Sequence, residues 1–395
     1  MTNIEPSDAG DQAGPTRFGG FIAPDHPLHG NPTLQLRRDI ELAQLLDELG
    51  FDEVWFGEHH STGLETIGSP ELMIAAAGER TKRIRLGTGV NSVSYHDPFI
   101  LADRIVQLDH LTQGRVIMGI GPGQLPSDAF MMGIDPVHQR RMMGEALEAI
   151  VPLIRGESVT MKTDWFDLRR AQLQLLPHSP DGIEIAVASV FSPTGVTLAG
   201  RHGLNVLSFA AGVSAAARTL SDNWQIHEKV AAEHGNPARR DRWRLVNQMH
   251  LSTTVEQAHR DLEYSVIDAT HYLESAAGNS SLAWRASAQA AVKEWTTAGL
   301  PGWGTVVAGT PDMAIERIDA LTTTSGGFGT LLLRITDTAP FDATCRSLEL
   351  FAEHVIPHFR GSNRNRERSM QWAHENRDEQ LGSAARAIEE ATGQR

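Results

Sequence analysis

The sequence predicts an α/β fold, a (β/α)8 TIM barrel with insertions. Three observations carry that prediction. Short apolar runs alternate with amphipathic stretches about eight times, a glycine follows several helical stretches just before the next strand, and the alternation fills ~340 residues, enough for one such barrel with additions. A doubly wound open sheet is the main alternative. It calls for a G-x-G-x-x-G turn after the first strand, whereas the glycine-rich run here, Gly119–Ile120–Gly121–Pro122–Gly123, follows the fourth and contains a proline that has no N–H to offer a phosphate.

Taken in order, residues 1–15 carry almost nothing apolar and read as a disordered leader, so that the barrel occupies 16–360. Strand Phe18–Ile22 opens it, followed by helix Leu34–Leu49, strand Glu53–Phe56, helix Glu71–Arg80, strand Ile84–Val90, helix Ile100–Leu111, strand Val116–Ile120 and helix Arg141–Leu153. Gly50, Gly114 and Gly203 each close a helical pattern, where a left-handed residue is favoured. A loop-rich stretch near 156–180 has room for a hairpin. The alternation resumes with strand Glu184–Ala188, helix Thr194–His202, strand Asn205–Ser208, helix Ala215–His234 and strand Arg244–His250. The helical stretch 255–297 is too long for one crossover and reads as an insertion. Thr310 then caps a helix with Pro311 in its first turn, and strand Thr330–Ile335 and helix Leu348–Phe359 complete the count. Residues 361–395 form a polar tail that reads as a surface helix.

Composition narrows the partners. The chain has 395 residues, 41% of them hydrophobic, and a single cysteine, Cys345, so no internal disulfide is possible and a reducing, cytoplasmic setting is expected. No apolar run approaches the ~20 residues that span a bilayer. A formal charge of −14 argues against nucleic acid and anionic membranes as partners, and a phosphorylated ligand would need a locally basic pocket.

Function in such a barrel sits on the loops after the strands. Strand 2 ends in Glu58–His59–His60–Ser61, in which one imidazole can face the mouth while the other braces it, with Glu58 orienting either. Ordinary hydrogen-bonded loop residues are the plain alternative, and a metal site completed by His96 and Asp97 is a weaker one because no ligand-spaced pattern supports it. The turn after strand 5, Ser189–Val190–Phe191–Ser192–Pro193–Thr194, opens a helix whose free N–H groups and hydroxyls suit an anion, or simply cap the helix. Gln139–Arg140–Arg141 supplies positive charge where the helix dipole does not favour it, which a phosphate would offset; two solvated arginines are the other reading. Trp55, Phe56, Phe130, Met131 and Met132 are expected to make the mouth apolar.

These residues carry a resemblance. Glu53–Ser61 (EVWFGEHHS), Arg83–Val90 (RIRLGTGV), Asp97–Gly123, Asp128–Pro136 with Gln139–Glu148, and Ala188–Leu207 resemble the bacterial-luciferase-like flavin monooxygenases, with AGTPD at Ala308–Asp312 and the segment Leu348–Phe359 in support. The wording of Thr163–Pro177 is most similar to the limonene-monooxygenase branch. The resemblance implies a two-component monooxygenase that receives FMN as FMNH2 from a separate NAD(P)H:flavin reductase. Through a C4a-(hydro)peroxyflavin it would place one oxygen of O2 on a small hydrophobic substrate, by epoxidation or hydroxylation of a terpene-like olefin or by Baeyer–Villiger oxidation of a ketone. It further implies His59 as the catalytic histidine with His60 beside it, a non-prolyl cis peptide at Gly89–Val90 beneath the flavin, and Arg141, with Arg140 as fallback, on the FMN phosphate. Ser192 would share that phosphate, with Ser189, Val190 and Phe191 as neighbours, and a homodimer through the helices beside strands 2 and 3 is expected. There are departures: Gly121 and Pro122 stand where luciferase has a reactive cysteine and a phosphate-binding arginine, and Phe191 replaces an acidic residue, which argues against light emission. The competing readings are an F420-dependent hydride-transferring oxidoreductase of the same superfamily and a non-catalytic flavin-binding homologue.

Overall fold

Eight parallel strands close on themselves: β1 (Arg17–Ile22), β2 (Glu53–Phe56), β3 (Arg85–Thr88), β4 (Val116–Gly121), β5 (Glu184–Ser189), β6 (Asn205–Phe209), β7 (Arg244–Asn247) and β8 (Thr330–Ile335). Each pairs with the next, and β8 returns to β1 with Phe21 opposite Arg334, so no sheet edge is left open. The computed structural model describes residues 14–23, 26–190, 192–209, 214–277, 287–299 and 304–393, with the backbone alone described at 214–218 and 272–277. Residues 1–13 of the expected leader lie outside this set.

The principal helix after each strand packs outside the barrel: α1 (Pro32–Glu48), α2 (Pro70–Gly78), α3 (Pro98–Leu111), α4 (Pro136–Ile154), α5 (Thr194–His202), α6 (Ser214–Glu233), α7 (Pro311–Ser325) and α8 (Phe341–Leu350). A large apolar core lies between sheet and helices, and a second, smaller one fills the barrel itself. In that inner core the Trp55 indole, on β2, lies across the waist of the barrel. The sequence makes room for it with glycine, since a Cβ on Gly87 or Gly119 would stand 2.3 or 2.8 Å from the ring.

Four expectations shift. Helix α4 begins at Pro136 rather than Arg141, because Asp135 caps it by accepting from the Val137 N–H at 3.0 Å. The strand expected over Arg244–His250 is two: β7 stops at Asn247, and Met249–Leu251 pairs instead with Val307–Gly309 in a separate two-stranded sheet. The last barrel helix starts earlier, at Phe341, and passes through a π turn at Phe351–Val355 into Ile356–Arg360; Pro357, having no N–H, breaks the regular ladder there. The stretch 255–297 holds three helices, Val255–Leu262, Val266–Ala277 and Ala288–Thr297, which share an apolar cluster with Leu64, Leu125 and Ala339 from the loops above the barrel. The expected hairpin forms from Val159–Lys162 and Asp167–Ala171. Beyond the barrel, helices Arg364–Glu375 and Arg377–Thr392 have no buried residue.

Candidate active site

A cavity of about 370 Å³ opens at the C-terminal ends of the strands, within the range of small-ligand and cofactor sites. One half lies over β3, β4 and β5. There the Gly89–Val90 peptide is cis, and Gly57, Gly89, Gly121 and Gly123 leave much of the wall free of side chains. A Cβ on Gly121 would stand 2.5 Å from Val90 Cγ2, and one on Gly89 2.8 Å from the Phe21 ring. This is a smooth recess suited to a flat ring system.

The start of α5 borders the same half. Ser192 Oγ accepts from the Thr194 N–H at 3.2 Å and lies 2.8 Å from Thr194 Oγ1, while Ser189 Oγ donates to the Ser192 carbonyl at 3.1 Å. Gly195 lets this turn sit close on β5, since a Cβ there would be 2.2 Å from the Ala188 carbonyl oxygen. The helix dipole and the free N–H groups of the first turn favour an anion at this point. Ser189, Val190, Ser192 and Arg140 all line the cavity; Phe191 lies outside the described residues. Arg140 makes no hydrogen bond or ion pair among the described residues.

Arg141 is a correction to the sequence reading. It is turned out of the cavity, where its guanidinium binds Glu145 Oε1 at 2.7 Å and both carboxylate oxygens of Asp164 at 2.9 Å. Successive helical residues point about 100° apart, so only one of two adjacent arginines can face the cavity, and the hairpin that carries Asp164 holds Arg141 on the other side.

On the wall formed by β2, His59 lines the cavity and stands between two carboxylates, with Nδ1 3.2 Å from Asp128 Oδ2 and Nε2 3.3 Å from Glu65 Oε2. Burial pulls its pKa down, but Glu65 and Asp128 outweigh that and raise it above the ordinary value. Burial would likewise raise Asp128, yet its bonds to His59 and Ser61 hold it low. His60 is a brace. Its Nε2 donates to Glu58 Oε1 at 3.0 Å, and its ring is absent from the cavity lining. His96 Nε2 donates to the same oxygen at 2.7 Å; Arg104 donates to His96 Nδ1 at 3.3 Å, which fixes that ring's tautomer. The Ser92 N–H completes the shell around Glu58, and although burial pushes this carboxyl up, the bonds hold it at about 2. Asp97, the other residue weighed for a metal, caps α3 through the N–H groups of Phe99 and Ile100.

The apolar lining differs from expectation. Trp55 belongs to the inner core and Phe56 to the core between sheet and helices, while Phe130, 84% exposed, Met131 and Met132 face solvent. Phe21, Phe209, Val246 and Met143 line the cavity instead. Sequence reasoning also missed Glu65, Gln248 and Arg334, which stand alone in their loops or strands without a spacing signal. Asp128 was legible in principle, as an acid in the first turn of the short helix Pro126–Met131.

The description Luciferase-like monooxygenase belongs to a family model that matches residues 16–327. The chain belongs to this family. It is 44% identical over 351 residues to limonene 1,2-monooxygenase of Rhodococcus erythropolis, which covers 89% of this chain and 88% of the relative. It is also 44% identical over 348 residues to 4-hydroxyprotoasukamycin monooxygenase of Streptomyces nodosus subsp. asukaensis, covering 87% of this chain and 92% of that one. Among solved structures, the oxygenating constituent of 3,6-diketocamphane monooxygenase from Pseudomonas putida, a type II Baeyer–Villiger enzyme in complex with FMN, superposes with a TM-score of 0.69 at 24% identity, over 86% of this chain and 98% of that one. The family makes this chain a monooxygenase, as the sequence resemblance implied. Among the described residues, no helix is long and apolar enough to cross a membrane.

Proposed function

We propose that this monooxygenase uses FMN, delivered reduced by a separate reductase, to oxygenate a small hydrophobic organic molecule, and that it works as a cytoplasmic homodimer. The observation that carries the reading is the position of Arg140: a guanidinium without a protein partner among the described residues borders the same cavity half as the α5 N-terminus and its two hydroxyls. That donor set fits a phosphate monoester, and the glycine-lined recess beside it fits a flavin ring.

Bound reduced FMN would supply the reaction with O2, one oxygen going to substrate and the other leaving as water. The chain's part is positioning and protons. Arg140, Ser192 and the first-turn amides of α5 hold the phosphate, and the Gly89–Val90 backbone supports the ring. Phe21, Phe209 and Val246 keep water from the reacting region. His59, gripped by Glu65 and Asp128, holds a proton on a ring nitrogen at the cavity surface and can deliver it there. His60, fixed by Glu58, keeps the strand end in place. Exposed Leu72 on α2 and Ile100 and Leu111 on α3 support the dimer, because these helices lie beside β2 and β3.

The test compares FMN with riboflavin, which lacks the phosphate. Arg140→Ala is expected to weaken FMN binding by ~10-fold or more, the scale of one charge-assisted hydrogen bond, and to leave riboflavin binding unchanged. Arg141→Ala should leave both within about two-fold, as an exposed ion pair contributes little. Equal losses for the two flavins in Arg140→Ala, or tighter binding of F420 than of FMN to the unaltered protein, would overturn the proposal.

A further inference from the structure

We infer that the insertion 255–297 acts on the reaction at one remove: through Leu64 and Leu125 it presses Glu65 and Asp128 against His59, which makes these two leucines positioning residues. This rests on the reading above, in which His59 handles the proton at the cavity surface.

Among the described residues, none between 255 and 297 borders the cavity. The insertion instead buries Leu262, Val292 and Trp295 in an apolar cluster separate from both barrel cores. Leu64 and Leu125 join that cluster from the loops around His59, and they are 3% and 5% exposed. Each stands close in sequence to one of the carboxylates that flank the imidazole. Leu64 directly precedes Glu65, which lines the cavity. Leu125 is the N-cap of the short helix Pro126–Met131, which carries Asp128. Asp128 Oδ1 accepts from the His60 N–H at 3.1 Å and from Ser61 Oγ, so the two loops move as a unit. His59, Glu65 and Asp128 therefore lie between loops whose far sides are anchored in one apolar cluster.

Two carboxylates beside one imidazole repel each other, and keeping both at 3.2–3.3 Å needs an opposing force. Burial of the two leucine side chains supplies one that is indifferent to charge. A roof that only adds stability would leave His59 as it is when the cluster is loosened. The charged and titratable groups facing His59 are Glu65 from the loop after β2, Asp128 from the helix after β4, and Glu58 and His60 in its own strand end; behind Glu65 stands Arg334, with Nη2 at 3.9 Å. Glu58 is fixed by His60, His96 and the Ser92 N–H, none of which belongs to the cluster. Loosening the cluster thus acts on Glu65 and Asp128. Because these two outweigh burial in raising His59, letting them recede returns the imidazole downward, toward its ordinary value.

The experiment follows the His59 imidazole by NMR titration of the histidine-labelled full chain, with His59→Asn identifying its signal. Leu64→Ala, Leu125→Ala and, from the insertion side, Leu262→Ala are each expected to lower the midpoint by ~0.5 pH or more, a part of what one nearby carboxylate contributes. Leu64→Met, which keeps the side-chain volume, should leave it in place. Leu321→Ala, an equal truncation in the core beneath α7, should lower stability in urea and leave the midpoint alone. A midpoint unmoved in both Leu64→Ala and Leu125→Ala, or moved as far in Leu321→Ala, would overturn the inference. If the two loop variants fail to fold by circular dichroism, Leu262→Ala decides, since it alters neither loop: an unmoved midpoint there overturns the assignment. The pH dependence of FMNH2-driven oxygen consumption is recorded on the same variants. A midpoint that moves while this profile stays put sinks the reading of His59 as the proton-handling group alone, because the titration is measured independently on the flavin-free protein.

Discussion

His26 shows how a single side chain ties loops around the mouth. It is buried, with Nδ1 2.7 Å from Asp337 in the loop after β8 and Nε2 3.2 Å from Asp39 on α1. Burial pulls its pKa down, but the bonds to Asp337 and Asp39 overcome this and raise it to about 9. Burial raises Asp39 to about 6, against its bond to His26. Because His26 is raised in the folded protein, its contribution is present below pH 6.5 and is lost as pH climbs toward 9; Asp39 loses stability earlier, as pH climbs from about 4 to 6. Urea unfolding should show the margin of the unaltered protein over His26→Asn shrinking by about 2–3 kcal/mol between pH 6.5 and 9, since a proton held only by the folded chain contributes about 1.4 kcal/mol for each pH step in that window. A margin constant over that range would remove this account. At this scale the sequence was readable where a motif existed. His59 and the α5 turn were marked by adjacent histidines and by a strand-to-helix junction. Arg334 was not, because an arginine in a strand looks the same whether it faces a cavity or solvent. The choice between Arg140 and Arg141 depended on where α4 begins, and that was set by Asp135, five residues before Arg140.

At the scale of elements, the lower end of the barrel is held by charge rather than by packing alone. Arg244, at the start of β7 and wholly buried, donates to Glu53 of β2 at 2.7 and 2.8 Å and pairs with Glu184 of β5 at 2.9 Å; Trp55 Nε1 also donates to Glu53 at 3.0 Å. Three non-adjacent strands thus converge on one guanidinium. Burial pushes Glu53 and Glu184 up, and Arg244 more than offsets it, holding Glu184 at about 2. Arg244→Met would leave two carboxylates without their shared partner. It is expected to cost about 3–5 kcal/mol in urea unfolding, as removal of one member of a buried pair does. A loss below about 1 kcal/mol would show that the strands close without it. Strands and helices themselves were largely legible, with Thr194–His202 and Thr330–Ile335 found at the expected ends. The break after Asn247 was not, because Arg244 to Leu251 is almost uniformly buried and its change of sheet depends on a partner strand about sixty residues later.

For the whole molecule, the expected pairing of subunits is testable through the faces of α2 and α3. Leu72 is 73% exposed, and Ile100 and Leu111, in the first and last turns of α3, are exposed as well. Light scattering on the unaltered protein should give twice the 43.2 kDa chain mass, and the double substitution Leu72→Glu, Ile100→Glu should return it to one chain with FMN affinity kept. A monomeric unaltered protein would refute the dimer. The formal charge of −14 and the local cation at Arg140 are compatible because solvent and salt screen the surface acids over about 8–10 Å, whereas a cavity-lining guanidinium acts at contact distance. The indole of Trp55, wedged over Gly87 and Gly119 with the Arg244 cluster beneath it, also bears on how the cavity can be reached. A barrel stoppered at the waist has no back door. Whatever enters the cavity therefore comes and goes by way of the strand ends and the loops around them, and not through the barrel axis.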